Sequence, residues 1–340
     1  MTEIIRKSLI ITLCMMAGKV LHLSAGVFVL LFGVVLATTC FSNNIIEMGQ
    51  RLWPTVTSSL GAMLLNQFFA EHPFIIWTLS VIYFDHVRRQ CSTNMHAAAA
   101  LLPMFIVIFI DTYANSAGMA LSIPEIFRDI SASAVIAILI ACSVNIILPA
   151  HAPPARPPIV SLPVNGFERL KMLLLVGGGL AFLMTSEVIS AVFCLVPMIT
   201  AVMQPTNAEM KKNCWDKGLS QVGGCVIAIA VALLLAGTQV NLLSYALVTF
   251  ALVLTLFKWT VKAAPADKAI NADAIMGILI PCQLFIGKWG NDFGLSLTLL
   301  RAVELIIALA IVHAIAHWLM YLVPTEQPAS ATAAKNKILN

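Results

Sequence analysis

The 340-residue chain is 60% hydrophobic and 11% charged, with a formal net charge of +4, where a soluble domain carries roughly 25% charged residues. With a mean hydropathy of +0.93 it has too few polar side chains to clothe a water-soluble globule. The balance makes it a polytopic membrane protein and excludes a nucleic-acid binder and an extracellular disulfide module.

Apolar runs fall at about 8–39, 55–70, 73–84, 96–114, 128–149, 170–203, 219–236, 240–257, 273–287 and 297–322. Two are too long for one span. A helix over 8–39 would extend about 48 Å, against a hydrocarbon core of about 30 Å, so 8–39 and 170–203 are each one overlong helix or a hairpin, and charge placement decides for hairpins. Twelve spans result, with both termini in the cytoplasm. The inner loops then hold 16 of the 20 Lys and Arg residues, whereas single spans would carry Arg51, Arg88, Arg89, Arg156, Arg169 and Lys171 to the outside, against the positive-inside rule. The eight cysteines form no CxxC pair and no His/Cys ligand spacing, and read as reduced packing residues.

The chain divides into a six-span unit over 1–150, a proline-rich cytoplasmic connector over 151–166, a second six-span unit over 167–324 and a disordered cytoplasmic tail over 325–340. The two units match. EMGQRLWPTVTSSLG (Glu47 to Gly61) lies without a gap on EMKKNCWDKGLSQVG (Glu209 to Gly223), and YANSAGMAL (Tyr113 to Leu121) on WGNDFGLSL (Trp289 to Leu297). Each second match follows a helix carrying a proline, Pro103 or Pro281. An even number of spans per unit makes the repeats parallel, with a pseudo-twofold axis along the membrane normal. The expected fold is therefore all-α, with about twelve transmembrane helices in two parallel six-helix repeats.

Four cations, Lys19, Arg128, Lys288 and Arg301, fall on the outer side of this topology. Ionisable groups at such depth usually face a bundle interior or a water-filled cavity, and Arg128 and Arg301 open the last span of each unit. They could line a vestibule for an anion, or snorkel to headgroups and pair with nearby carboxylates. Tyr113, Asn115, Trp289 and Asn291, repeated between the units, complete the candidate binding set. Glu304 follows Arg301 by one helical turn and could alternate between paired and protonated states. Asp111, Asp292 and Glu187 are rival proton-coupling groups. Asn94 and Asn271 open spans five and eleven, as helix caps or at an entry. No metal-ligand cluster and no cofactor motif stands out. A Walker-type glycine loop is absent, so ATP coupling in cis is not expected.

A short hairpin, a basic loop and a polar-small helix, appearing twice, resemble the fusaric acid resistance and aromatic acid exporter superfamily. The residues concerned are RKSLIITLCMMAGKVLHLSAGVFVLLFGVV, QRLWPTVTSSLGAML and its copy KNCWDKGLSQVGGCV. Within it, the chain looks like the compact branch that lacks cytoplasmic domains. The resemblance implies an inner-membrane exporter of small organic anions working with a periplasmic adaptor of the membrane-fusion type, and makes Arg128 and Arg301 the best fit to a cationic pore. A passive anion channel, a lipid-modifying enzyme and a non-transporting scaffold are the alternatives, enzyme activity being the reading not expected. The free lateral surface of a twelve-span unit leaves room in the bilayer for a homo-oligomer.

Overall fold

The first apolar run turns back on itself. Helix α1 (Thr2–Val20) and α2 (Val27–Thr39) form a hairpin whose turn carries a positive φ at His22. The two helices cross closely at Gly18, where an added Cβ would sit 2.9 Å from the Gly26 carbonyl oxygen and 2.6 Å from the Gln283 amide. Helix α2 has 13 residues and reaches only about 20 Å, short of the hydrocarbon thickness.

These features belong to a computed structural model that describes residues 2–115, 122–149, 159–162, 164–186, 189–204, 206–236, 241–264, 267–285 and 295–322. After the hairpin come α3 (Ile45–Phe68), α4 (Pro73–Gln90), α5 (Asn94–Ala114) and α6 (Ile123–Ile147). The second long apolar run is also broken, by a different device. It comprises α7 (Gly166–Met172), a π turn (Leu173–Gly177), α8 (Gly178–Ser186), a 3-10 turn (Ile189–Cys194) and α9 (Leu195–Val202). Then follow α10 (Asn207–Ala236), α11 (Leu242–Lys262), α12 (Asp267–Leu284) and α13 (Leu295–Leu322). Among the described residues the only extended pairing is one bridge between Thr93 and Ser161. The tail at 325–340 and most of the connector at 151–166 lie outside the described residues. The connector's end is anchored, since Asn94 N–H donates to Val160 O, and Leu162 N–H to Ser92 O.

Among the described residues five helices are long and apolar enough to cross a membrane: 94–114, 123–147, 208–235, 242–262 and 295–315. The distribution of side chains says the same. Helix α3 buries Thr55, Ser59 and Asn66 while exposing Trp53, Leu64 and Phe68, and α10 buries Lys217, Ser220 and Gln221 while exposing Leu219, Leu233 and Leu234. Water would drive the opposite arrangement. In lipid an apolar exterior costs nothing and polar groups must find partners inside.

Helix α3 packs on α5 and α6, and α10 packs on α12 and α13. Helix α11 lies along α1, and α4 lies along α7, the π turn and α8. The tightest of these contacts is between α10 and α12, where a Cβ on Gly224 would stand 2.6 Å from the Gly277 carbonyl carbon. All eight cysteines are free thiols and seven are buried.

Candidate functional site

Among the described residues the most fully buried carboxylate belongs to Asp111, one turn before the end of α5. Its two oxygens are met from two other helices: Asn66 of α3 donates to Oδ1 at 2.6 Å, and Ser80 of α4 to Oδ2 at 2.6 Å. Among the described residues no cation pairs with it. Asn115 donates to the Asp111 backbone carbonyl at 2.7 Å and closes the helix end. The sequence singled out Asp111 and Asn115 but could not supply Asn66 or Ser80, because their partnership spans 45 and 31 residues.

On the opposite face of α5 lies an aromatic cluster. Tyr113 stacks on Phe109 with centroids 4.2 Å apart, Phe109 meets Phe193 of the 3-10 turn edge-on at 6.1 Å, and Phe28 of α2 meets Phe109 at 4.9 Å. Phe193 in turn lies under the guanidinium of Arg301, 5.2 Å from its centroid. Arg301 is 1% exposed. Among the described residues its three nitrogens find no oxygen or nitrogen hydrogen-bond partner; the Cys194 and Cys225 thiols and the Glu304 carboxylate lie close around it. A planar cation over an aromatic face recovers part of its lost hydration, but five N–H donors facing thiols and a ring remain an anion-hungry group.

Arg128 meets a different fate. Its side chain is 68% exposed and forks onto Asp129 at 3.0 Å, and the buried Asp129 also accepts the Ser24 amide of the hairpin turn at 2.9 Å. Lys19 lies over the Tyr245 ring at 5.6 Å, joining α1 to α11. Lys288, Trp289, Asn291, Asp292 and Glu187 fall outside the described residues. The asparagine at the start of α5 is not its cap: Thr93 accepts the His96 amide, and Asn94 instead accepts the Val160 amide. Asn271 is likewise buried within α12, which begins at Asp267.

Two ionic clusters escaped the sequence reading. Arg6, fully buried, forks onto Glu3 and donates to Asn145 at 2.7 Å and the Ala37 carbonyl at 3.2 Å, tying together α1, α6 and the end of α2. At the start of the second half Lys171 pairs with Glu168, which also faces Arg88 of α4 at 3.9 Å. The signal was present, since Glu3-x-x-Arg6 and Glu168-x-x-Lys171 place an acid and a cation one turn apart at the head of each half. Outside the apolar spans Asp85 accepts both ends of the Arg169 guanidinium at 2.6 and 2.7 Å, and those bonds hold its carboxyl below the usual carboxylate range. Hydrogen bonds from Ser42 and then Arg51 lower Glu47 in the same way.

A bundle with apolar helices outside and buried ionisable groups inside defines a multi-pass helical membrane protein. Residues 3–144 match the family described as Protein of unknown function (DUF2955). No curated protein and no solved structure matches the chain.

Proposed function

We propose that the chain is an inner-membrane secondary exporter, driven by protons, that moves small organic anions from the cytoplasm toward a periplasmic adaptor. The observation that carries this reading is Asp111, a fully buried carboxylate held, among the described residues, by neutral donors from two neighbouring helices. Such a site suits either protonation state. Ser80 is a hydroxyl, able to turn from donor to acceptor, while the Asn66 amide nitrogen can only donate. A proton arriving on Oδ2 would therefore keep both contacts, with Asn66 still donating to Oδ1 and Ser80 receiving the new O–H. An ion pair would lack that tolerance, because losing the negative charge would strand its cation.

Arg301 supplies the second requirement. It keeps its charge at any physiological pH, and with Glu304 nearby but no oxygen hydrogen-bonded to its nitrogens it retains donors for which a transported carboxylate is the natural acceptor. A fixed cation would serve a passive anion channel equally well, and this is the second reading. The twelve-span, two-repeat topology with cytoplasmic termini is part of the proposal. It is supported by crossed packing between the halves, α4 lying on the opening α7–α8 segment of the second and α11 on α1 of the first, by the paired acid–cation turns at 3–6 and 168–171, and by a family match that spans α1–α6 alone. The adaptor rests on the resemblance of the hairpin and basic-loop segments.

Flux of radiolabelled carboxylic acids through vesicles containing the purified chain tests the reading. The exporter predicts accumulation only under an imposed pH gradient. Equal flux with and without the gradient would establish the channel instead, and no flux for any acid, with the adaptor present, would defeat both.

A further inference from the structure

Helices α3 and α4 touch little along their length. They are tied to α5 through Asp111 at one end, and toward the end where α3 and α5 begin and α4 finishes they part. The gap is a cleft of about 410 Å³, with α5 as its floor, which falls within the roughly 300–1,000 Å³ typical of small-molecule sites. A single side-chain bridge crosses it, Ser58 Oγ to Tyr83 Oη at 2.9 Å.

The lining has a definite chemical character. His86 and His96 face the cleft from α4 and α5, and Gln90 bonds the His86 ring at 3.0 Å. Two helix-interior prolines, Pro54 and Pro103, also line it. Pro103 has no amide hydrogen to offer the carbonyl of Ala99 one turn earlier, and Ala99 is itself part of the wall, so a backbone acceptor is released there. Among the described residues no Asp or Glu contributes to the lining. The remaining walls are alanine, valine, proline and the Cys91 thiol, a largely apolar bed beneath a rim of imidazole, hydroxyl and amide groups.

We infer that this cleft binds a small carboxylic acid with an apolar body, its carboxylate held between the imidazoles of His86 and His96 and its body on the floor formed by α5. The absence of an acidic wall removes the repulsion that would reject such an anion, and the two histidines on different helices supply donors to its two oxygens. Ligand exchange would separate or join α3 and α4, the helices whose far ends meet at Asp111. The inference deepens the export reading by naming the site at which the transported anion is first held, and it rests on that reading for the identity of its ligand as cargo.

Equilibrium dialysis of the purified full chain with labelled benzoate and hexanoate tests it. Saturable binding should weaken at least tenfold in both His86→Gln and His96→Gln, and should be lost in Ala99→Phe, which fills the floor, while the melting temperature of each variant stays within a few degrees of the parent. Undiminished binding in all three folded variants overturns the inference. Failure of the export reading looks different: benzoate would bind the parent and bind the cleft variants at least tenfold more weakly, yet no labelled acid would cross vesicles under any gradient.

Discussion

Arg128 and Arg301 are the same side chain near the starts of two long helices, and their neighbours separate them. Arg128 has Asp129 beside it and an open side toward solvent or headgroups; Arg301 has Phe193 beneath it and thiols around it. Sequence could place both arginines but not their environments, since Phe193 and Cys225 approach from other elements. Replacing a whole buried ion pair by apolar groups of similar volume is neutral or stabilising by about 1–4 kcal/mol, whereas removing one partner strands the other charge; Glu304 stands beside Arg301. Arg301→Met combined with Glu304→Gln should therefore hold or raise the thermal midpoint in detergent while lowering anion flux. A lower midpoint in the double variant would mean that the guanidinium has a further structural partner. At the carboxylate, Ser80→Ala removes the one donor able to reverse, leaving Oδ2 without a partner in either protonation state. Gradient-driven flux should fall at least tenfold with the chain still folded, and flux equal to the parent's would remove Ser80 from the proton site.

At the scale of elements, the first hairpin was legible because a helix over 8–39 would overrun the hydrocarbon core and the placement of Lys and Arg decided for a hairpin. The second run was legible as broken but not in its manner of breaking. The π turn at Leu173–Gly177 disturbs the regular helical bonding, and the Gly177 carbonyl accepts the Trp77 indole N–H at 2.8 Å, a bond joining α4 to the second half across 100 residues. Trp77→Phe keeps the ring and loses that bond, for an expected cost of about 1 kcal/mol, readable as a small drop in unfolding midpoint. The contact between α10 and α12 is less forgiving. With backbone within 3 Å of any Cβ at Gly224, Gly224→Val should cost about 1–3 kcal/mol through overpacking, whereas the same change at Gly223, which has open space around it, should be tolerated. Equal losses at the two glycines would contradict the packing described.

Over the whole molecule, charge arithmetic and hydropathy identified the bundle and its polar interior, but the contacts that join its halves are tertiary and left no local trace. One is the fork of Arg169 onto Asp85. Because that bond depresses the folded-state pKa of Asp85, its contribution is fully present above the ordinary carboxylate range and is lost as pH falls below about 4. Asp85→Asn should accordingly lower the midpoint at pH 7 and converge with the parent on acidification below that point; a gap that persists at low pH would assign the loss to packing instead. The acid–cation turns at the head of each half and the crossed packing of α1 on α11 and α4 on α7 and α8 are what two related units around one axis would produce.

The central claim is that Asp111 carries the coupled proton, and the most direct test separates coupling from passage. Vesicles containing the parent chain or Asp111→Asn are loaded with a transported acid, and two rates are read: accumulation driven by a pH gradient, and exchange of labelled for unlabelled acid with no gradient. The account predicts that Asp111→Asn abolishes gradient-driven accumulation while exchange continues at a rate near the parent's. Accumulation that survives the substitution would contradict it, and the proton would have to travel through another group.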